Sequence, residues 1–242
     1  MMIRYKAVIS YDGSDYYGFQ RLNNHKNILQ TIENAIKNMT AQAIPIYVSG
    51  RTDKGVHAKG QVIHFDTEID LEATVWINGI NRRLPADIRI LKISKEKANF
   101  HARHSAKSKI YEYRITKFPS SVFESRYEVY QPNLDINLIK QGAKLLEGTH
   151  DFAGFSINIA LKPTVKTIYS VSVKETKKNI IIRFHGDSFL RYMVRRMVGL
   201  LIDIGAEKKQ VSVINEIFLT KDRMIANITA PAKGLYLVKI FY

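Results

Sequence analysis

Cysteine is absent from the 242 residues, which excludes disulfides, thiolate zinc sites and a cysteine nucleophile. Proline and glycine are scarce, at 6 and 13 residues, and no collagen-like, linker or low-complexity stretch occurs. Long apolar runs are lacking too. The longest, Met197 to Ile204, is broken by Asp203 and is far shorter than the roughly 20 residues a membrane-spanning helix needs. The opening MMIRYKAVIS has no signal-peptide-like apolar region, so the chain reads as soluble and cytoplasmic, with no membrane partner. Acidic residues are few: 22 Asp and Glu stand against 37 Lys and Arg, a net charge of +15. That surplus points to a polyanionic partner, nucleic acid foremost. No GxxxxGK(S/T), GxGxxG or GxSxG motif is present, so nucleotide hydrolysis and serine-hydrolase chemistry lack their usual signatures.

What is there is a globular composition, 45% hydrophobic and 24% charged, of a length between one domain and two. Residues 3 to 11 alternate, with Ile3, Tyr5, Ala7, Ile9 and Tyr11 on one face, the period of a half-buried strand. Ile28, Ile32, Ala35, Ile36 and Met39 make one stripe of a helix. Two short strands, PIYVSG and QVIHFD, flank the loop RTDKGVHA; a helix over Leu71 to Leu84 capped by Asp70 and the strand DIRILKIS follow. The order β-α-β-β-α-β recurs in the second half: SKIYEYRI, a helix from Ile136 to Leu146, TVKTIYSVSV, NIIIRFHG, a helix from Ser188 to Gly205 and GLYLVKIF, with an extra helix near Val211 to Leu219. This predicts an α+β fold of two ferredoxin-like, split βαβ halves, residues 1–105 and 106–242, with antiparallel sheets flanking a central catalytic cleft.

Three places could carry chemistry. GRTDKGVHA sets Arg51, Asp53, Lys54 and His57 in a glycine-bounded loop, which is either a solvated turn or a functional loop. The helix SFLRYMVRRMVGLLIDIG puts Ser188, Arg191, Tyr192, Arg195 and Gly199 on one side at helical spacing. Arg195 there either snorkels to solvent or meets a carboxylate or phosphate. Tyr111 and Tyr113, two apart on a strand, project from one face beside several cations, which suits core packing or stacking on unstacked bases. His101 and His104 lack further ligands, and so do His57 and His64, so no metal site is expected.

Together these residues resemble the tRNA pseudouridine synthase A family almost from end to end. The blocks are YDGSDYYGFQ at 11–20, GRTDKGVHA at 50–58, NGINRRLPADI at 78–88, FHARHSAKSKIYEY at 100–113, GDSFLRYMVRRMVG at 186–199 and TAPAKGLYL at 229–237. The resemblance implies that Asp53 is the catalytic aspartate, that Arg51 sits beside a flipped nucleotide, that Tyr111 contacts the target uracil and that Arg195 pairs with the aspartate. It also implies a homodimer acting on the anticodon arm of tRNA at uridines 38, 39 and 40, with no cofactor. Two positions depart from the family: Phe19 stands where Trp is usual, and Lys54 where a small residue usually follows the aspartate. The alternatives are the same chemistry on ribosomal RNA, a noncatalytic basic RNA-binding protein, and, third, a metal-dependent nuclease, which would need clustered carboxylates where this loop is basic.

Overall fold

Period-two alternation does build the first strand, which buries Tyr5, Ala7, Ile9 and Tyr11. The structure is a computed structural model and describes residues 1–22, 24–157 and 163–242. Among these the elements are, in chain order, β1 (Ile3–Tyr11), α1 (Ile28–Thr40), β2 (Ile46–Val48), β3 (His57–Thr67), α2 (Ala73–Asn81), β4 (Ile88–Glu96), β5 (Ser108–Thr116), β6 (Val129–Tyr130), α3 (Ile136–Leu145), β7 (Gly148–Asp151), β8 (Val165–Glu175), β9 (Asn179–Gly186), α4 (Met193–Gly205), α5 (Val213–Thr220) and β10 (Leu235–Phe241). The protein is thus α+β, and its strands pair mostly antiparallel. The chain divides into two units, Met1–Lys107 with Tyr236–Tyr242, and Ser108–Leu235.

In the first unit β3 is the central strand. β1 pairs antiparallel along one edge, with Tyr5 opposite Phe65, and β4 pairs antiparallel beyond it. On the other edge β2 pairs antiparallel at Phe65, while β10 pairs parallel with Tyr236 opposite His57. Helix α1 is capped by Asn27, whose side chain accepts from the Gln30 N–H at 2.9 Å. It buries Ile28, Ile32, Ala35 and Ile36, the stripe its periodicity specifies. Tyr5, Phe65 and Trp76 lie with ring centroids 5.4–5.5 Å apart, and rings of this size each bury about 150–250 Å² of surface. Helix α2 starts at Ala73, not after Asp70. The Asp70 carboxylate is engaged elsewhere, accepting from Lys95 at 2.5 Å and from the Tyr5 hydroxyl at 3.2 Å, and so does not cap.

The second unit runs β5-β9-β8-β7 in antiparallel order, with the two-residue β6 added parallel to β5. Helices α3 and α4 meet where Gly142 leaves room for Leu201. Phe152, Phe155 and Phe218 cluster with His150, whose ring stacks on Phe218 at 4.3 Å. Helix α4 begins at Met193, five residues later than the sequence pattern suggests. Asp187 accepts from the Ser188 N–H and hydroxyl, a local turn that competes with helix, and Tyr192 takes a left-handed φ of 63°. Ser188, Arg191 and Tyr192 therefore precede the helix that carries Arg195 and Gly199 and do not share its face. Among the described residues no helix is long and apolar enough to cross a membrane.

Candidate active site

Between β2 and β3 the chain makes the loop that carries Asp53, and its position is set by atoms of the backbone. The Phe19 N–H donates to Thr52 O at 3.1 Å, the Gly55 N–H to Tyr16 O at 3.3 Å and the Val56 N–H to Asp53 O at 3.2 Å. From β3, Gln61 Nε2 donates to Gly50 O at 2.7 Å, and the Tyr11 hydroxyl bonds Thr52 Oγ1 at 2.8 Å. Burial pushes the Tyr11 phenol up to about 12, against the pull of its bonds to Thr52 and Gln61, so it stays neutral at physiological pH.

The segment that braces the loop is YDGSDYYGFQ, and two of its positions admit only glycine. Gly18 has φ +89°, and a Cβ there would lie 2.6 Å from Thr52 O; one on Gly13 would lie 2.0 Å from Val56 O. The backbones touch because side chains are missing. Phe19, fully buried, tilts against Tyr11 at 6.1 Å between ring centroids. The smaller ring at this position therefore fills core beneath the loop.

The outcome for the loop's charged residues is uneven. Asp53 is half-buried; Arg51 and Lys54 are exposed. His57 is the first residue of β3 and is buried, its ring stacked on Tyr236 at 4.8 Å. Its Nδ1 lies 3.1 Å from both the Gly13 nitrogen and Asp12 Oδ1. The Gly13 N–H donates to Nδ1, so His57 braces the YDGSDYYGFQ segment from the start of β3. Tyr16 donates to Asp87 Oδ1 at 2.7 Å, and burial together with that carboxylate drives its phenol upward.

Tyr111 and Arg195 belong to the second unit. Tyr111, on β5, is buried and meets Phe189 edge to face at 5.1 Å. Arg195, in the first turn of α4, is half-buried; its Nε donates to Ala230 O at 2.7 Å, and the Ala230 N–H returns a bond to Arg195 O at 3.0 Å. Its guanidinium carbon stands 5.0 Å from the Tyr192 ring centre. Tyr113 donates to Pro231 O at 2.8 Å, so the TAPAKG segment is held by a residue of each neighbouring element; burial raises the Tyr113 phenol and Arg195 moderates the rise. Phe189 and Ala230 are the site-building residues that sequence reasoning passed over. Both lie inside motif blocks, but a lone Phe and a carbonyl donate no chemistry that a pattern reveals.

The histidines His64, His101 and His104 lie in a row, with ring centroids 4.7 and 4.4 Å apart. The Nδ1 atoms of His64 and His101 accept backbone N–H bonds. Burial depresses His64 to about 4. Among the described residues no three His, Asp or Glu side chains form a group able to hold a metal ion.

Comparison with known proteins bears on the whole chain. A family model described as tRNA pseudouridine synthase matches residues 7–105 and 143–242. Arg51, Asp53 and Arg195 fall inside the matched segments, and Tyr111 between them. A tRNA pseudouridine synthase A of Aster yellows witches'-broom phytoplasma is 42% identical over 238 residues, covering 98% of each chain. That of Phytoplasma mali is 43% identical over 239 residues, again covering 98% of each. That of Oceanobacillus iheyensis is 40% identical over 246 aligned positions, covering 100% of this chain and 97% of the relative. Agreement of this extent, over both units, means that the chain belongs to the tRNA pseudouridine synthase family.

Proposed function

We propose that this protein isomerises uridine to pseudouridine in the anticodon arm of tRNA, at positions 38, 39 and 40, with Asp53 as nucleophile. The observation that carries the assignment is the Asp53 loop: a half-buried carboxylate on a backbone held at Gly50, Thr52 and Gly55, flanked by two exposed cations. The reaction breaks the bond from uracil N1 to ribose C1′, turns the base and joins C5 to C1′. Uracil never leaves, no electrons are exchanged with another molecule, and no cofactor is required. An ionised Asp53 either attacks C1′, expelling uracil as the N1–C1′ bond breaks, or adds to C6, opening the C5=C6 double bond before the N1–C1′ bond breaks and the base turns.

In this reading Arg195, aimed through Ala230, pairs with the Asp53 carboxylate, keeps it ionised and sets its direction. Tyr111, packed against Phe189, stacks on the uracil; late in the reaction its phenol oxygen accepts the C5 proton as its own hydroxyl proton passes to solvent, and N1 of the turned base takes up a proton in exchange. The glycosidic bond is closed to attack in a stacked helix, so the nucleotide flips out, and exposed Arg51 fills the space it leaves. The +15 charge supplies the phosphate contacts that hold the RNA. The protein acts as a cytoplasmic homodimer.

Pseudouridine mapping of total RNA from source cells with and without the protein tests this. Loss at positions 38, 39 and 40 of tRNA is the expected result. Loss confined to a ribosomal RNA site would reject the tRNA target and keep the Asp53 chemistry, and no loss anywhere would return the protein to the class of noncatalytic RNA binders.

A further inference from the structure

The residue after Asp53 sits over an exposed aromatic ring. Lys54 Nζ lies 3.7 Å from the centre of the Tyr17 ring. The His25 ring stacks on the same Tyr17 at 4.0 Å between centroids and 9° between planes. Two groups each within about 4 Å above one ring centre cannot share a face without overlapping, so lysine and histidine lie on opposite faces and Tyr17 is sandwiched. All three are exposed; Tyr17 retains 40% of its surface. The stack is anchored from behind: the Tyr17 N–H donates to Lys26 O at 2.9 Å, and Asn27 Nδ2, at the start of α1, donates to His25 O at 3.0 Å.

The neighbouring cations differ from Lys54. Arg21 pairs with Glu33, and Lys26 pairs with Asp87 at 3.6 Å. Among the described residues no carboxylate pairs with Lys54. Its ammonium is held by a ring quadrupole, which restrains it a few-fold but leaves its charge unneutralised. A lysine loses much rotamer freedom when it binds an anion from a free state, and here part of that loss is already incurred. The result is a pre-aimed positive charge one residue from the proposed nucleophile, on the exposed side of its loop.

We infer that Lys54, aimed by the Tyr17–His25 stack, is a phosphate-binding residue for the RNA backbone beside the target uridine. This rests on the reading of Asp53 as the nucleophile of an RNA-modifying enzyme. The phosphodiester is the anion of choice because a flipped nucleotide presents its flanking phosphates at the mouth of the site. Phosphate contact carries no base preference, so Lys54 adds affinity equally for a uridine in any sequence context.

The test is the affinity of the full-length protein for an unmodified tRNA transcript, measured across a salt series for wild type, Lys54→Met, Lys54→Arg and Tyr17→Leu. Loss of one phosphate contact lowers the slope of log K against log salt by about 0.7–0.9. Lys54→Met should show that drop, with affinity weakened to a similar degree for transcripts of different sequence, and Lys54→Arg should restore the slope. Tyr17→Leu keeps the charge and loses the aim: wild-type slope, affinity reduced a few-fold. An unchanged slope in Lys54→Met would overturn the proposal, and if turnover fell alongside it, Lys54 would be a clasp for the loop. Pseudouridine formation by wild type on the same transcript reports separately on the parent reading. Its failure with the Lys54 slope effect intact would remove the enzyme assignment and leave the RNA contact.

Discussion

The two units hold their functional groups by opposite means. In the first, Asp53 rides on a loop, and the loop is fixed at Gly50, Thr52 and Gly55 by contacts from Gln61, Phe19, Tyr11 and Tyr16. None of those four contacts uses the Asp53 carboxylate. In the second, Arg195 projects from a helix, and its direction comes from its own Nε on Ala230 O and its own guanidinium over Tyr192. Under the proposed mechanism the first arrangement separates positioning from chemistry, whereas the second has one guanidinium serve both. A loop has no ladder of its own to hold it and needs neighbours to pin its backbone. A helix is already rigid, so only the side chain remains to be aimed.

This difference dictates how each site should fail. The largest effect belongs to Asp53→Asn, which removes the proposed nucleophile and leaves those four contacts in place: turnover on a tRNA transcript should fall by about 10⁴-fold or more while RNA binding persists. Conversion measured in single turnover, beside a filter-binding assay, checks both halves. Substantial residual turnover would mean another group attacks. Next comes Arg195→Lys, which keeps the charge and loses the Nε donor and the planar fork. If Arg195 orients the Asp53 carboxylate as proposed, a displacement of about 1 Å costs about 10²-fold in kcat, and a lysine variant as fast as wild type would overturn that role. The smallest belongs to Gly18→Ala, which forces a Cβ toward Thr52 O and a non-glycine residue to φ +89°. Denaturant unfolding should show a loss of about 1–3 kcal/mol, with kcat reduced because the bracing segment must shift. Full activity together with full stability would mean the loop is less tightly braced than its contacts imply.

How much of this was legible in the sequence depends on the length scale of the force responsible. Strands β1, β5, β8 and β9 and helices α1 and α3 follow from periodicity, because side-chain alternation and the apolar stripe are local properties of ten or so residues. Strands β6, of two residues, and β7, of four, show no period, whereas β2, with three, is legible because the glycine-bounded loop marks its end. The start of α4 is not legible from its apolar pattern either. The apolar pattern runs unbroken from Phe189, but the Asp187 turn and the left-handed Tyr192 delay the helix, and hydrogen bonding at a helix start outweighs hydrophobic spacing there.

At the site the division is similar. That Asp53 lies in a glycine-bounded loop between strands is readable from one motif, and the charge surplus alone indicates a polyanionic partner. That Gly18 and Gly13 exist to let two backbones touch, that His57 braces Gly13, and that Arg195 answers to a carbonyl 35 residues away are through-space facts. So is the membership of the last strand: sequence order groups GLYLVKIF with the second half, yet residues 236–242 belong to the first unit, where Tyr236 and Leu237 pair with His57 and Ala58. Local pattern specifies what a segment becomes. Which unpaired strand edge it then satisfies depends on hydrogen-bonding groups brought together from opposite ends of the chain, and no local period records them.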